Sequence, residues 1–124
     1  ILPPTPGTWT IEMADSYGDG WQTTNGDAGP GLQVIKSDGT VFAEVGLCSY
    51  WEQSPYDCTE GLDSGTATIE IPAGIGLVDW YFPGDYWGEI SFKITSPSGN
   101  VVGEYGAGTS AGNLALNLCN EPVQ

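Results

Sequence analysis

The chain has 124 residues and carries 16 acidic side chains against two lysines, Lys36 and Lys93, with no histidine and a formal charge of −14. Nucleic acid and anionic membrane surfaces are held by clustered Lys and Arg, so both are excluded as partners and cations are favoured. Five Trp, six Tyr and three Phe exclude a disordered acidic tail, and no apolar run is long enough to span a bilayer.

Residues 1–7, Ile1-Leu2-Pro3-Pro4-Thr5-Pro6-Gly7, read as a proline-rich, polyproline-II-like arm ahead of a β-domain spanning 8–124. Ile1 and Leu2 at its tip are wasted in water: a frayed end is the bland reading, and an arm that docks on a neighbouring subunit is the sharper one. The sequence opens at Ile1 and is read as a mature chain whose secretion leader has been removed. Thr5 and Thr8 are candidates for O-linked sugar, and no Asn-x-Ser/Thr sequon is present.

Period-2 alternation begins with Trp9, Ile11 and Met13 and predicts a strand that runs into Asp15-Ser16-Tyr17-Gly18-Asp19-Gly20-Trp21. Two carboxylates four residues apart, on a backbone that glycines allow to turn, supply the hard oxygen ligands Ca²⁺ requires. In this reading Asp15 and Asp19 give side-chain oxygens, and carbonyls near Tyr17 and Trp21 complete the shell. The spacing is not that of an EF-hand. The bland alternative is a solvated acidic turn. Asp27, in the Gly-rich loop that follows, reads as a turn residue only.

Further strands are predicted at Leu32–Lys36, Thr40–Val45, Thr66–Ile71, Leu77–Tyr81, Glu89–Ile94, Asn100–Tyr105 and Leu114–Leu118. Asp38-Gly39 and Ser98-Gly99 mark two hairpin turns. About eight short strands with no helical periodicity define an all-β fold, a single antiparallel β-sandwich of jelly-roll type. Between strands, residues 46–65 form a long loop that calls for a tie. Cys48 and Cys58 within it suit a disulfide in an oxidising compartment, although Cys119 leaves three pairings open. Cys119 itself reads as a free thiol or an intermolecular bridge.

An internal repeat links Asp15–Gly46 with Pro83–Gly106: an acidic aromatic loop, a strand, a Gly turn and a second strand. Asp85 and Glu89 then match Asp15 and Asp19 as further metal ligands, in one shared site or a second one. The expectation is two related β-units, one per sheet. Trp51, Tyr86 and Trp87 exceed what one core needs, so a carbohydrate-binding surface for a polysaccharide is the alternative function. Triad catalysis is excluded without His, and acids on turns of a small sandwich do not promise a catalytic cleft, so no enzyme is expected.

The run Trp9 to Trp21 resembles a module repeated in large secreted or surface proteins of marine bacteria and algae, where a strand leads into D-S-Y-G-D-G-W. Glu89-Ile90-Ser91-Phe92 and Ser98-Gly99-Asn100-Val101-Val102 look like the module's second segment, with Phe92 in place of Trp, Asp85 one residue closer and the segment order permuted. The resemblance covers about half the chain. It implies an extracellular, cation-stabilised β-domain and supplies no activity. The sequence reading is therefore a secreted, Ca²⁺-stabilised structural or adhesive module of the cell surface, the subunit of a fibre or other self-assembly whose arm contacts a neighbour.

Overall fold

The computed structural model describes residues 4–119 and 121. Eight strands form: β1 (Gly7–Asp15), β2 (Leu32–Lys36), β3 (Val41–Val45), β4 (Ser64–Ile71), β5 (Val78–Phe82), β6 (Ile90–Thr95), β7 (Val101–Tyr105) and β8 (Gly112–Asn113). Among the described residues they build two four-stranded sheets, β4-β1-β6-β7 and β3-β2-β5-β8, and the pairings between these strands are all antiparallel. The β-sandwich expected from the alternation is the fold.

Alternation places one face of each strand inside. Trp9, Ile11 and Met13 of β1, Leu32 and Val34 of β2, Phe82 of β5, and Ile90, Phe92 and Ile94 of β6 are all buried in one core. Aromatic rings join the layers: Trp9 meets Trp80 at 5.4 Å and Phe82 meets Phe92 at 5.0 Å between centroids. Burying rings of this size is the main favourable term for a chain with so few helix or ion-pair contributions. Only one ion pair, Lys93 with Glu12 at 3.3 Å, occurs among the described residues, and it sits in solvent where it adds little.

The repeat is real in topology, but the units interlock. Mapping β1–β4 onto β5–β8 in order carries the first sheet onto the second: β1 lies between β4 and β6, as β5 lies between β8 and β2. The two hairpins correspond closely. Lys36 N–H donates to Thr40 O at 2.8 Å, as Ser96 does to Asn100 at 2.9 Å, and each hairpin slips register just before its turn, at Val34/Ile35 and Ile94/Thr95. The units as bounded in the sequence fall one per sheet: Asp15–Gly46 carries β2 and β3 of one sheet, and Pro83–Gly106 carries β6 and β7 of the other. Extended to four strands, each unit adds two strands to the opposite sheet, because every connection except the two hairpin turns passes from one sheet to the other.

The alternation at Leu114–Leu118 misled in a second way. Its leucines are half-buried, yet the segment joins no ladder beyond Asn113. Leu114 N–H donates to Trp80 O of β5 at 2.7 Å, while Asn117 N–H donates to Val102 O of β7 at 2.7 Å. A segment bonded first to one sheet and then to the other closes the seam between them, and it needs the same apolar period as a strand to do so. At the opposite seam, edge strands β3 and β4 border an open cleft of about 510 Å³.

Strand β1 starts at Gly7, and the segment before it is tied to its own domain. Thr5 O accepts from the Trp9 indole at 2.8 Å, and Thr5 Oγ1 donates to Glu121 at 3.1 Å. Thr8 Oγ1 donates to Glu70, so both hydroxyls considered for O-linked sugar are engaged. Ile1 and Leu2, the expected interface residues, lie outside the described residues.

Candidate metal centre

The loop that leaves β1 is built around one carboxylate. Asp15 Oδ2 accepts from the backbone N–H groups of Gly18 and Asp19, both at 2.8 Å. This closes a tight turn that places Gly18 at φ 90° and Gly20 at φ 82°, conformations that favour glycine. Gly20 is needed twice over, since a Cβ there would lie 2.0 Å from the carbonyl oxygen of Cys48. The loop is thus pressed against the 46–65 segment at backbone contact. Tyr50 N–H donates to Asp19 O at 2.8 Å, and Gly20 N–H donates to Leu62 O at 3.1 Å.

The 46–65 segment is itself tied as its cysteines suggested. Cys48 and Cys58 form a disulfide with Cα atoms 5.0 Å apart, leaving Cys119 an exposed free thiol. A parallel bridge between Leu47 and Thr59 adds backbone bonds beside it.

Glu89 arrives from the other unit, at the entry to β6. Its carboxylate joins those of Asp15 and Asp19, and one oxygen from each residue lies within 4.8 Å of the others. Asp15 is 4% exposed and Asp19 7% exposed, and Oδ1 of each is buried without a hydrogen-bond partner. A buried carboxylate oxygen with no donor is expensive. Burial pushes the Asp15 pKa up to about 6, and Asp19 beside it adds to the rise, against the opposing pull of the Asp19 and Gly18 amides. Glu89 is also shifted upward, by burial first and then by Asp15, Asp19 and Asp85. Asp15 and Glu89 are thus harder to ionise in this company, and a cation at the shared point would favour their charged forms.

The donor set is all oxygen, with neither His nor thiolate in it. Hard cations are matched to such sets, and Ca²⁺ takes six to eight oxygens, so backbone carbonyls and water would complete the shell. The residues fit the ion.

Tyr17 and Trp21, expected to offer backbone carbonyls, differ in where their rings lie, and Asp85 stands apart from the three acids. Trp21 is a core residue, 1% exposed, with its ring against the Phe82–Phe92 pair and its indole N–H donating to Ala14 O at 3.1 Å. Its ring anchors the far end of the loop. Tyr17 is 72% exposed and projects beside the acids. Asp85 lies outside the group of three: its two oxygens accept from the backbone N–H groups of Gly88, Glu89, Ile90 and Gly108 at 2.8 to 3.0 Å. It organises the loop that delivers Glu89.

Above the acids opens a cleft of about 370 Å³, walled by Tyr17, Trp51 and Trp87 and floored by Asp19, Asp27 and Glu89. The Trp51 indole donates to Asp19 Oδ2 at 2.7 Å, and the Trp87 indole donates to Gly26 O at 3.1 Å. Tyr86 stays outside the cleft, edge-on to Trp87 at 4.9 Å. Asp27, expected to serve a turn only, faces the cleft. A signal for it was the Gly-rich context: Gly26 is small where a Cβ would lie 3.0 Å from the Trp87 ring. No family model, curated protein or solved structure matches the chain.

Proposed function

We propose that this chain is an extracellular β-sandwich module held together by Ca²⁺, with a structural or adhesive role and no catalytic one. One observation carries the reading: Asp15, Asp19 and Glu89 converge, and two of them bury an oxygen that no donor in the fold satisfies. The −14 charge gives the ion a second role, since it offsets repulsion that weakens the compact state. The disulfide supports an oxidising location. Among the described residues no helix is long and apolar enough to cross a membrane.

Calorimetric titration of chelator-stripped protein with CaCl₂ tests the site. One saturable Ca²⁺ site is expected, and at a hundredfold excess over Kd the ion should add about 2.7 kcal/mol, or roughly 10 °C in Tm. The double variant Asp15→Asn/Asp19→Asn should show neither effect. Heat-neutral titration and unchanged melting in the native protein would reject the reading.

Self-assembly is supported by the unpaired edges of β3 and β4 beside an open seam, the type of edge to which a strand from another copy adds. Because Thr5 is tied to its own domain, the informative deletion is residues 1–3 alone. Loss of polymer with an intact monomer is expected, and a polymer that persists would remove the arm from the assembly.

A further inference from the structure

We infer that the cleft over the metal centre docks a neutral saccharide, whose ring stacks on Trp87 and Trp51 while its hydroxyls meet the acidic floor and its ion. The inference rests on the Ca²⁺ reading for the hydroxyl contacts. It rests on separate observations for the stacking.

Trp51 and Trp87 are 56% and 58% exposed, and Tyr17 still more so. Three large aromatic side chains from three distant segments leave solvent-facing carbon around one depression. Exposed apolar surface gathered in this way marks an interaction site. The two indoles are also fixed. Each N–H is already donated inward, to Asp19 and to Gly26, so what each ring offers to a ligand is its hydrocarbon surface. Each is braced edge-on by a tyrosine, Tyr50 against Trp51 at 5.0 Å and Tyr86 against Trp87 at 4.9 Å. Rings held this way lose little freedom when a ligand arrives.

Charge selects the ligand class. Asp19, Asp27 and Glu89 on the floor repel phosphate, sulfate and uronate groups. A flat, purely apolar ligand leaves those carboxylates facing carbon, without compensation. A neutral sugar presents C–H on one face and hydroxyls at its edge. That matches aromatic walls above oxygen ligands and a hard cation, for which hydroxyl oxygen is a suitable donor. The volume of about 370 Å³ lies in the range of small-molecule sites. A cationic peptide is the competing occupant, and it differs in one respect: it competes with Ca²⁺, whereas a sugar does not.

The test uses the full chain and the neutral hexaoses of glucose, mannose, galactose and xylose, titrated by calorimetry at saturating CaCl₂. At least one hexaose is expected to bind, and Trp87→Ala should weaken it about tenfold or more while leaving Ca²⁺ affinity within about twofold. Trp87 is the decisive position because its indole touches Gly26 and not an acid of the metal group. Hexaose binding that Trp87→Ala leaves unchanged overturns the proposal, as does failure of all four to bind. So does oligolysine binding that strengthens on chelation with no hexaose response. Titration with CaCl₂ alone reports on the metal centre independently, so loss of either reading is seen separately.

Discussion

Two loops of this molecule share one design and end in different states. In the first, Asp15 accepts from the amides three and four residues ahead, Gly18 and Asp19; in the second, Asp85 does the same with Gly88 and Glu89. Gly18 and Gly88 both take positive φ, at 90° and 74°. The first loop stops there and leaves Oδ1 of Asp15 buried and unpaired. The second continues, with the amides of Ile90 and Gly108 filling the second oxygen of Asp85. Equivalent carboxylates therefore end differently: Asp85 is satisfied by the chain, and Asp15 keeps one oxygen without a donor among the described residues. On the proposed reading, the ion site is the copy left incomplete.

The comparison breaks most visibly at Asp85. Asp85→Ala orphans four backbone donors and should cost about 3–5 kcal/mol by urea denaturation. Because Asp85 orders the loop that delivers Glu89, the increment that CaCl₂ adds to Tm should shrink but not vanish, whereas Glu89→Gln should remove more of it at a smaller cost to the chelated protein; the reverse order would break the contrast. The two glycines come next. Gly18→Ala and Gly88→Ala should each cost about 1 kcal/mol for positive φ; at Gly18 the Cβ also meets Asp63 Oδ1 at 2.5 Å, the end of an exposed side chain that can swing away, while at Gly88 it meets nothing within 4 Å. A Gly18 cost several times the Gly88 cost would mean that Asp63 is held in place.

Asp15→Asn gives an effect of opposite sign. In chelator it removes a charge whose burial the Gly18 and Asp19 amides offset only in part, so the variant should be about 1 kcal/mol more stable than the parent while losing its response to Ca²⁺. The sign with pH follows. Asp15 titrates near 6 in the fold and near 4 in the unfolded chain, so in chelator its contribution is fully favourable below about pH 4 and is lost as pH rises through 6. With Ca²⁺ present the ionised form is needed, and the stabilisation should grow across the same interval. Melting curves of parent and Asp15→Asn, each with and without CaCl₂ from pH 4 to 7, isolate this group. Parallel curves would show that Asp15 is not the titrating group.

Much of the fold was legible because period-2 alternation has one cause, a two-faced strand. The alternation of Trp9, Ile11 and Met13 reads directly as core. The same pattern at Leu114–Leu118 was ambiguous, since a segment bridging two sheets buries every second side chain just as a strand does. The acids were found by spacing, but spacing treats Asp15 and Asp85 alike. What separates them is Ile90 and Gly108, amides whose approach is set by tertiary structure. Trp21 reads from its motif only as a carbonyl donor, because spacing does not show that its ring fills the core. Asp27 was passed over because its place beside Trp87 depends on a contact across the two units.

The interlocking of the units has a temporal consequence. Asp19 and Glu89 stand 70 residues apart, and β1 gains its inner neighbour only when β6 arrives. The first unit by itself has neither a closed sheet nor a third acid. On the proposed reading, closure of the sandwich and ion capture are one late event, and any fragment ending before Glu89 should remain open and indifferent to calcium. Rigidity would then arise only where the two halves of the chain and the cation meet.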